Sequence, residues 1–162
     1  MNLVQQARYT DPPAFAGAMP QQKPTAAQAN GLRYERKVGL FLGQWAKKEG
    51  YTVQDHPWIQ WQDSANRWSY AQPDFVLLSE RDDNLLIIDS KVRHTRDVVP
   101  QLRRYRAIIE HIHPYFKPSC VEICRYFDSS ECRIELLPEL RPHSLECAAV
   151  IFEPQSWISL NS

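Results

Sequence analysis

Apolar and polar residues alternate along this chain with two different periods, and the periods mark the elements. The segment "GLRYERKVGLFLGQWAKKEG" repeats its apolar positions at helical spacing and stops at Gly50, which predicts a helix beginning near Thr25–Asn30. Leu32, Val38, Gly39, Leu42 and Trp45 are expected on its inward face, and Glu35 shares that face by its three-, four- and seven-residue spacings. The stretch "YTVQDHPWIQWQDSANRWSYAQPDFVLL" predicts two strands joined around Asp63–Asn66. In "QPDFVLLSERDDNLLIIDSKV" two apolar runs flank a polar turn at 81–84, a β-hairpin pattern. A second helix follows in "RDVVPQLRRYRAIIEHI". Its apolar stripe is Val98, Leu102, Tyr105, Ile109 and Ile112, Asp97 can cap it, and Pro100 falls in its first turn. "CVEICRYF", "CRIELL" and "CAAVIF" are short strand candidates.

The order of helix, three strands, helix and further strands predicts an α/β domain with one mixed sheet. The strands before and after the second helix can pair in parallel by a crossover. Residues 1–29 hold five Gln and four Pro with few large apolar groups, so they are expected to form a flexible arm ahead of a domain over 30–162.

Composition changes this picture little, but charge placement does. The 19 Lys and Arg balance the 19 Asp and Glu. Yet Lys91–Arg106 holds six basic residues against Asp97 alone, and from Cys120 onward acids outnumber bases seven to three. A basic centre beside an acidic end can mark an anion-binding face. No run has the length of a membrane span and no signal-peptide layout opens the chain, so an intracellular, cytoplasmic protein is expected, with Cys120, Cys124, Cys132 and Cys147 reduced.

The charges that end the hairpin carry the chemistry. Alternation places Asp89 and Lys91 on one side of their strand, and the turn brings Asp74 to the same end. Carboxylates held together repel, and burial costs several kcal/mol each unless compensated. A divalent cation is the natural compensation, and a lysine beside it can orient water or steady charge developing on a phosphate. Charges that merely guard an edge strand are the plain alternative for Asp89 and Lys91, and a surface pairing with Arg36 or Lys37 is the plain alternative for Glu35.

Glu35, Pro73-Asp74, Asp89-Ser90-Lys91 and Gln101-x-x-x-Tyr105, taken together, resemble the PD-(D/E)XK nuclease superfamily. The trailing Gln-x-x-x-Tyr resembles its RecB-like branch. The resemblance spans about residues 30–127 and implies a single restriction-endonuclease-like domain with an αβββαβ core around a central mixed sheet. It further implies that Asp74 and Asp89 bind Mg²⁺ or Mn²⁺ with the Ser90 carbonyl, and that Glu35 assists a metal directly or through water. Lys91 would activate or position the water, and Gln101 and Tyr105 would contact DNA or brace the site. The implied activity is DNA phosphodiester hydrolysis in recombination, repair, restriction or phage DNA processing. A non-cleaving DNA-binding or assembly module is the rival, and metal affinity separates the two.

DNA is the expected partner, through Arg93, His94, Arg96, Arg103, Arg104 and Arg106. A homodimer is the form expected if both strands of a duplex are cut, and the N-terminal arm could dock on a partner protein. Trp58, Trp61, Trp68 and Tyr70 suit sheet packing better than base stacking. The cysteines lack the close pairs of a zinc or iron–sulfur site and read as small buried hydrophobes.

Overall fold

A computed structural model describes residues 3–18, 23–93, 95, 97–126 and 148–152. The first long helix, α2 (Ala26–Glu49), follows a strand, β1 (Val4–Thr10), and a short helix, α1 (Ala14–Ala18). A capping box opens α2. Thr25 Oγ1 accepts from the Gln28 N–H at 3.2 Å, while Gln28 Oε1 accepts from the Thr25 N–H at 2.9 Å. Gly50 ends it in the left-handed conformation at φ 78°, its N–H bonded to the Ala46 carbonyl. The buried row is Tyr34, Val38, Leu42 and Ala46, spaced four apart. Leu32, expected inside, is 50% exposed instead. Gly39 faces the Phe75 ring, where a Cβ would lie 3.2 Å from the ring edge, so the missing side chain lets α2 approach the sheet.

Five strands form a mixed sheet in the order β2 (Tyr51–Asp55), β5 (Phe75–Ser79), β6 (Asn84–Arg93), β7 (Lys117–Tyr126) and β8 (Ala148–Phe152). The expected hairpin is β5–β6, with Phe75 opposite Ile88 and Leu78 opposite Leu85. Helix α3 (Val98–Ile112) supplies the crossover to β7, which runs parallel to β6. Asp97 occupies the N-cap position of α3 but makes no side-chain capping bond, contrary to expectation. The candidate strand "CRIELL" lies outside the described residues, as do Cys132 and Cys147.

Two features depart from the expected single sheet. The stretch after α2 does not run on as one strand but breaks at His56-Pro57. Proline offers no ladder donor, and His56 takes φ 48°. Beyond the break, β3 (Trp58–Asp63) and β4 (Trp68–Ala71) leave the main sheet and join β1 in a separate three-stranded antiparallel sheet ordered β1-β3-β4. The arm expected over 1–29 therefore contains an ordered strand. Its Val4, Ala7 and Tyr9 pack against the core that includes Leu102, Ile108 and Ile109 of α3. That burial and an antiparallel ladder to β3, irregular only between Val4 and Gln6, offset the ordering entropy expected of a Gln- and Pro-rich segment.

The layers run α2, five-stranded sheet, α3, three-stranded sheet. One core cluster lies on the α2 side, with Leu42, Phe75, Leu77, Ile88 and Ile123. The other surrounds α3, with Ile59, Val76, Ile87, Leu102 and Ile109. No helix among the described residues is long and apolar enough to cross a membrane.

Candidate metal and phosphate site

Alternation along β6 sends Leu86 and Ile88 into the α2-side core and Leu85 and Ile87 into the α3-side core. The same rhythm carries Asp89 and Lys91 to the α3 side at the strand's end. Lys91 Nζ lies 3.2 Å from Asp89 Oδ2. Asp89 is 1% exposed, and burial followed by the charge of Asp74 pushes its carboxyl up to about 7, against the lowering pull of Lys91. Burial would lower the Lys91 ammonium, but pairing with Asp89 and the nearby Asp74 charge outweigh it, so its pKa is raised and it stays a cation.

Asp74 stands just ahead of β5 and is fixed on both sides. Its Oδ2 accepts from the Ser90 N–H at 2.7 Å and from the Ser90 hydroxyl at 3.0 Å. Its carbonyl accepts from the His56 N–H at 2.8 Å. His56 therefore joins the end of β2 to the head of β5. Its ring bonds Glu35 through Nε2 and Asp55 through Nδ1, and Nε2 also lies 4.0 Å from Asp74 Oδ1. Burial disfavours the imidazolium, yet the two carboxylates outweigh burial and raise the His56 pKa above its ordinary value.

Glu35, His56 and Asp74 each bring one ligand atom within 4.8 Å of the others, a donor set that suits a divalent cation. Asp74 thus links two groups of charge, Glu35 and His56 on one side and Asp89 and Lys91 on the other. Beside the first runs a groove of about 630 Å³, lined in part by Leu32, Leu40, Gly39 and Phe75.

Gln101 and Tyr105 meet as their spacing suggests. Gln101 Nε2 donates to the Tyr105 hydroxyl at 2.9 Å, and that hydroxyl donates to the Gln72 carbonyl at 3.2 Å. The Gln72 amide in turn donates to the His56 carbonyl at 3.0 Å. This chain ties α3 to the loop carrying Asp74. Two further residues belong to the site. His56 shows in the sequence only as "DHP" between strand candidates. Glu122 is fully buried opposite Asp89 on β7 and adds to the charge that raises the Asp89 carboxyl. Only the parallel register reveals that juxtaposition.

The described arginines differ in their surroundings. Arg103 is exposed, while Arg104 lines a groove of about 470 Å³ between α3 and the small sheet with Trp61, Asp63 and Arg67. Arg106 is 17% exposed and bonds Glu110 at 2.8 Å in an i,i+4 helix ion pair. Arg93 ends β6 exposed, and His94 and Arg96 lie outside the described residues. Cys120 and Cys124 are buried in the sheet, the Cys120 thiol donating to the Leu102 carbonyl at 3.5 Å.

A mixed α/β protein with a carboxylate, histidine and lysine cluster at the end of its mixed sheet is the class these observations define. The chain belongs to the YagJ family, whose model matches residues 17–134 and so includes the whole cluster. No curated protein matches the chain, and no solved structure matches it.

Proposed function

We propose that this protein is a divalent-metal-dependent DNA phosphodiesterase of the PD-(D/E)XK type. The observation carrying the reading is the meeting of Asp74, Asp89 and Lys91 at one end of the β5–β6 hairpin, next to Glu35 and His56. Fold order supports it as well. In the main sheet, helix α2 is followed by three antiparallel strands, helix α3 and a strand parallel to the third, the order expected of a restriction-endonuclease-like core.

The donor chemistry fits the implied cation, since Glu35, His56 and Asp74 bring their ligand atoms within 4.8 Å of one another and would hold it, with Asp89 and the Ser90 carbonyl as the further ligands that the resemblance implies. When bound, Mg²⁺ or Mn²⁺ supplies a Lewis acid and a more acidic water. The remaining work falls to side chains. Lys91, kept cationic by Asp89, orients the attacking water and steadies charge developing on the phosphate. Ser90 fixes one oxygen of Asp74 and leaves the other directed towards His56 and Glu35. Gln101 and Tyr105 hold the Asp74 loop against α3. A nitrogen donor among carboxylates suits Mn²⁺ at least as well as Mg²⁺.

Linear, circular, single-stranded and branched DNA, each incubated with Mg²⁺, Mn²⁺ or EDTA, tests the reading. Cleavage is expected with either metal and not in EDTA, and Lys91→Ala is expected to lower it by at least about 100-fold. Binding of DNA without cutting under any metal would instead favour the non-cleaving module.

A further inference from the structure

The three-stranded sheet has one face on α3 and one that belongs to no core. Ile59, Ala71, Ala7 and Tyr9 point inward with Trp61, so alternation turns Arg8, Trp58, Gln60, Gln62, Trp68 and Tyr70 outward. Trp68 is 46% exposed and Tyr70 40% exposed, unusual for residues of their size on a sheet. Register sets these side chains in rows. Arg8 lies opposite Gln60 and Gln60 opposite Tyr70, while Gln62 lies opposite Trp68.

The rows are also preorganised. Arg8 donates to Gln60 Oε1 at 3.1 and 2.7 Å, and its guanidinium sits 5.8 Å from the centre of the Trp68 ring. Gln60 Nε2 reaches the Tyr70 hydroxyl at 3.5 Å. Phe15 packs edge-on against Trp58 and Tyr70 at 6.0 and 5.5 Å, bordering the aromatic end. Asp63 lies at an inward position, so no outward strand position of this sheet holds a carboxylate, and Arg8 is the one charged residue among those outward positions.

We infer that this face binds single-stranded DNA, its bases stacked on Trp68 and Tyr70 and its backbone drawn by Arg8. Aromatic rings stack on any base, guanidinium attracts phosphate, and the glutamine amides can donate to and accept from base edges. Trp68 and Tyr70 stand two residues apart on β4, about 6.7 Å along the strand, a spacing comparable to that of neighbouring bases in an extended single strand. The polar rows argue against a second protein as occupant, since a protein interface core is depleted of charge and dominated by packed apolar groups.

The face also leads to the site. β3 starts at Trp58, two residues after His56, and β4 ends at Ala71, three before Asp74. The aromatic end of the face is thus the end next to the chain segments that carry His56 and Asp74. The choice of DNA rests on the nuclease reading, whereas the stacking platform does not.

Fluorescence anisotropy with a labelled oligodeoxythymidine in EDTA tests the inference without cleavage. Trp68→Ala/Tyr70→Ala is expected to bind at least about 10-fold more weakly than wild type. Trp68→Phe, which keeps a ring, is expected to stay within about three-fold, and its retained binding separates lost stacking from lost folding. Tryptophan fluorescence of the wild type should be quenched as oligonucleotide is added. Unchanged binding by the double variant, or equal binding of a blunt duplex with the same loss, would overturn the platform. Oligonucleotide binding that needs both aromatics, with no cutting under any metal, would sink the nuclease reading and leave the platform standing. Cutting by wild type with no effect of the double variant on binding would do the reverse.

Discussion

Asp89 shows what one buried charge does to the rest of the site. Its carboxyl is raised to about 7, so the folded state holds a proton that the unfolded chain releases near 3.8, and stability falls as pH rises between those values. At pH 8 without metal the ionised group destabilises the fold. Asp89→Asn is therefore expected to raise the stability of the metal-free protein by about 1–3 kcal/mol, seen as a higher melting temperature in EDTA. Adding Mg²⁺ or Mn²⁺ should raise the melting temperature of the wild type more than that of the variant, which keeps Glu35, His56 and Asp74 but lacks the Asp89 carboxylate. A variant less stable than wild type in EDTA would show that pairing with Lys91 outweighs burial. Asp74, Asp89 and Lys91 were legible because a hairpin pattern alone brings them together. His56 was not, since its partners lie 21 residues back on α2 and 18 ahead on the Asp74 loop. Glu122 was hidden too, because a strand's polar residue is ordinarily assigned to solvent until its neighbour is known.

At the scale of elements, β1 is the least legible piece. "VQQARYT" turns Gln6, Arg8 and Thr10 outward and offers only Val4, Ala7 and Tyr9 to the core, with a register irregularity between Val4 and Gln6 that blurs the alternation. A contact at the far end of α3 pins it. The Tyr9 hydroxyl and His113 Nε2 share a hydrogen bond at 2.9 Å, with the His113 ring tilted against Tyr9 and Phe116. Burial lifts the Tyr9 phenol to about 12 and lowers the His113 pKa below its ordinary 6.5. A histidine lowered by folding contributes stability above its unfolded pKa, and that contribution is lost as pH falls from about 6.5 through the folded value. Urea denaturation at pH 7.5 and 5.5 is expected to show wild type losing more stability on acidification than His113→Gln. Parallel losses in the two proteins would place the acid sensitivity elsewhere. The two long helices, α2 and α3, were easier to read, whereas the short α1 lies within the stretch expected to be a flexible arm. Each long helix carries its stripe or cap locally, while the break at His56-Pro57 makes sense only once two sheets exist.

Across the whole molecule, helix α3 is covered on both sides, by the main sheet and by the small one, and the candidate site opens at one end of that stack. The mixed character of the main sheet followed from the order of elements, because a helix between two strands permits parallel pairing. The second sheet did not follow, since β1 and β3 are joined across about fifty residues of intervening chain and no local pattern announces such a partnership. The hairpin that carries Asp74, Asp89 and Lys91 is the opposite case. Its strands are separated by four residues, 80–83, so closing it has the smallest entropic cost of any pairing in the sheet. That closeness bears on the order of folding. A chain that zips this hairpin early must confront the repulsion of Asp74 and Asp89 in its transition state, before any cation can be gathered. Stopped-flow refolding in EDTA is then expected to be faster for Asp89→Asn, with the unfolding limb nearly unmoved. A shift confined to unfolding would mean that the pair meets late, after the surrounding layers have closed.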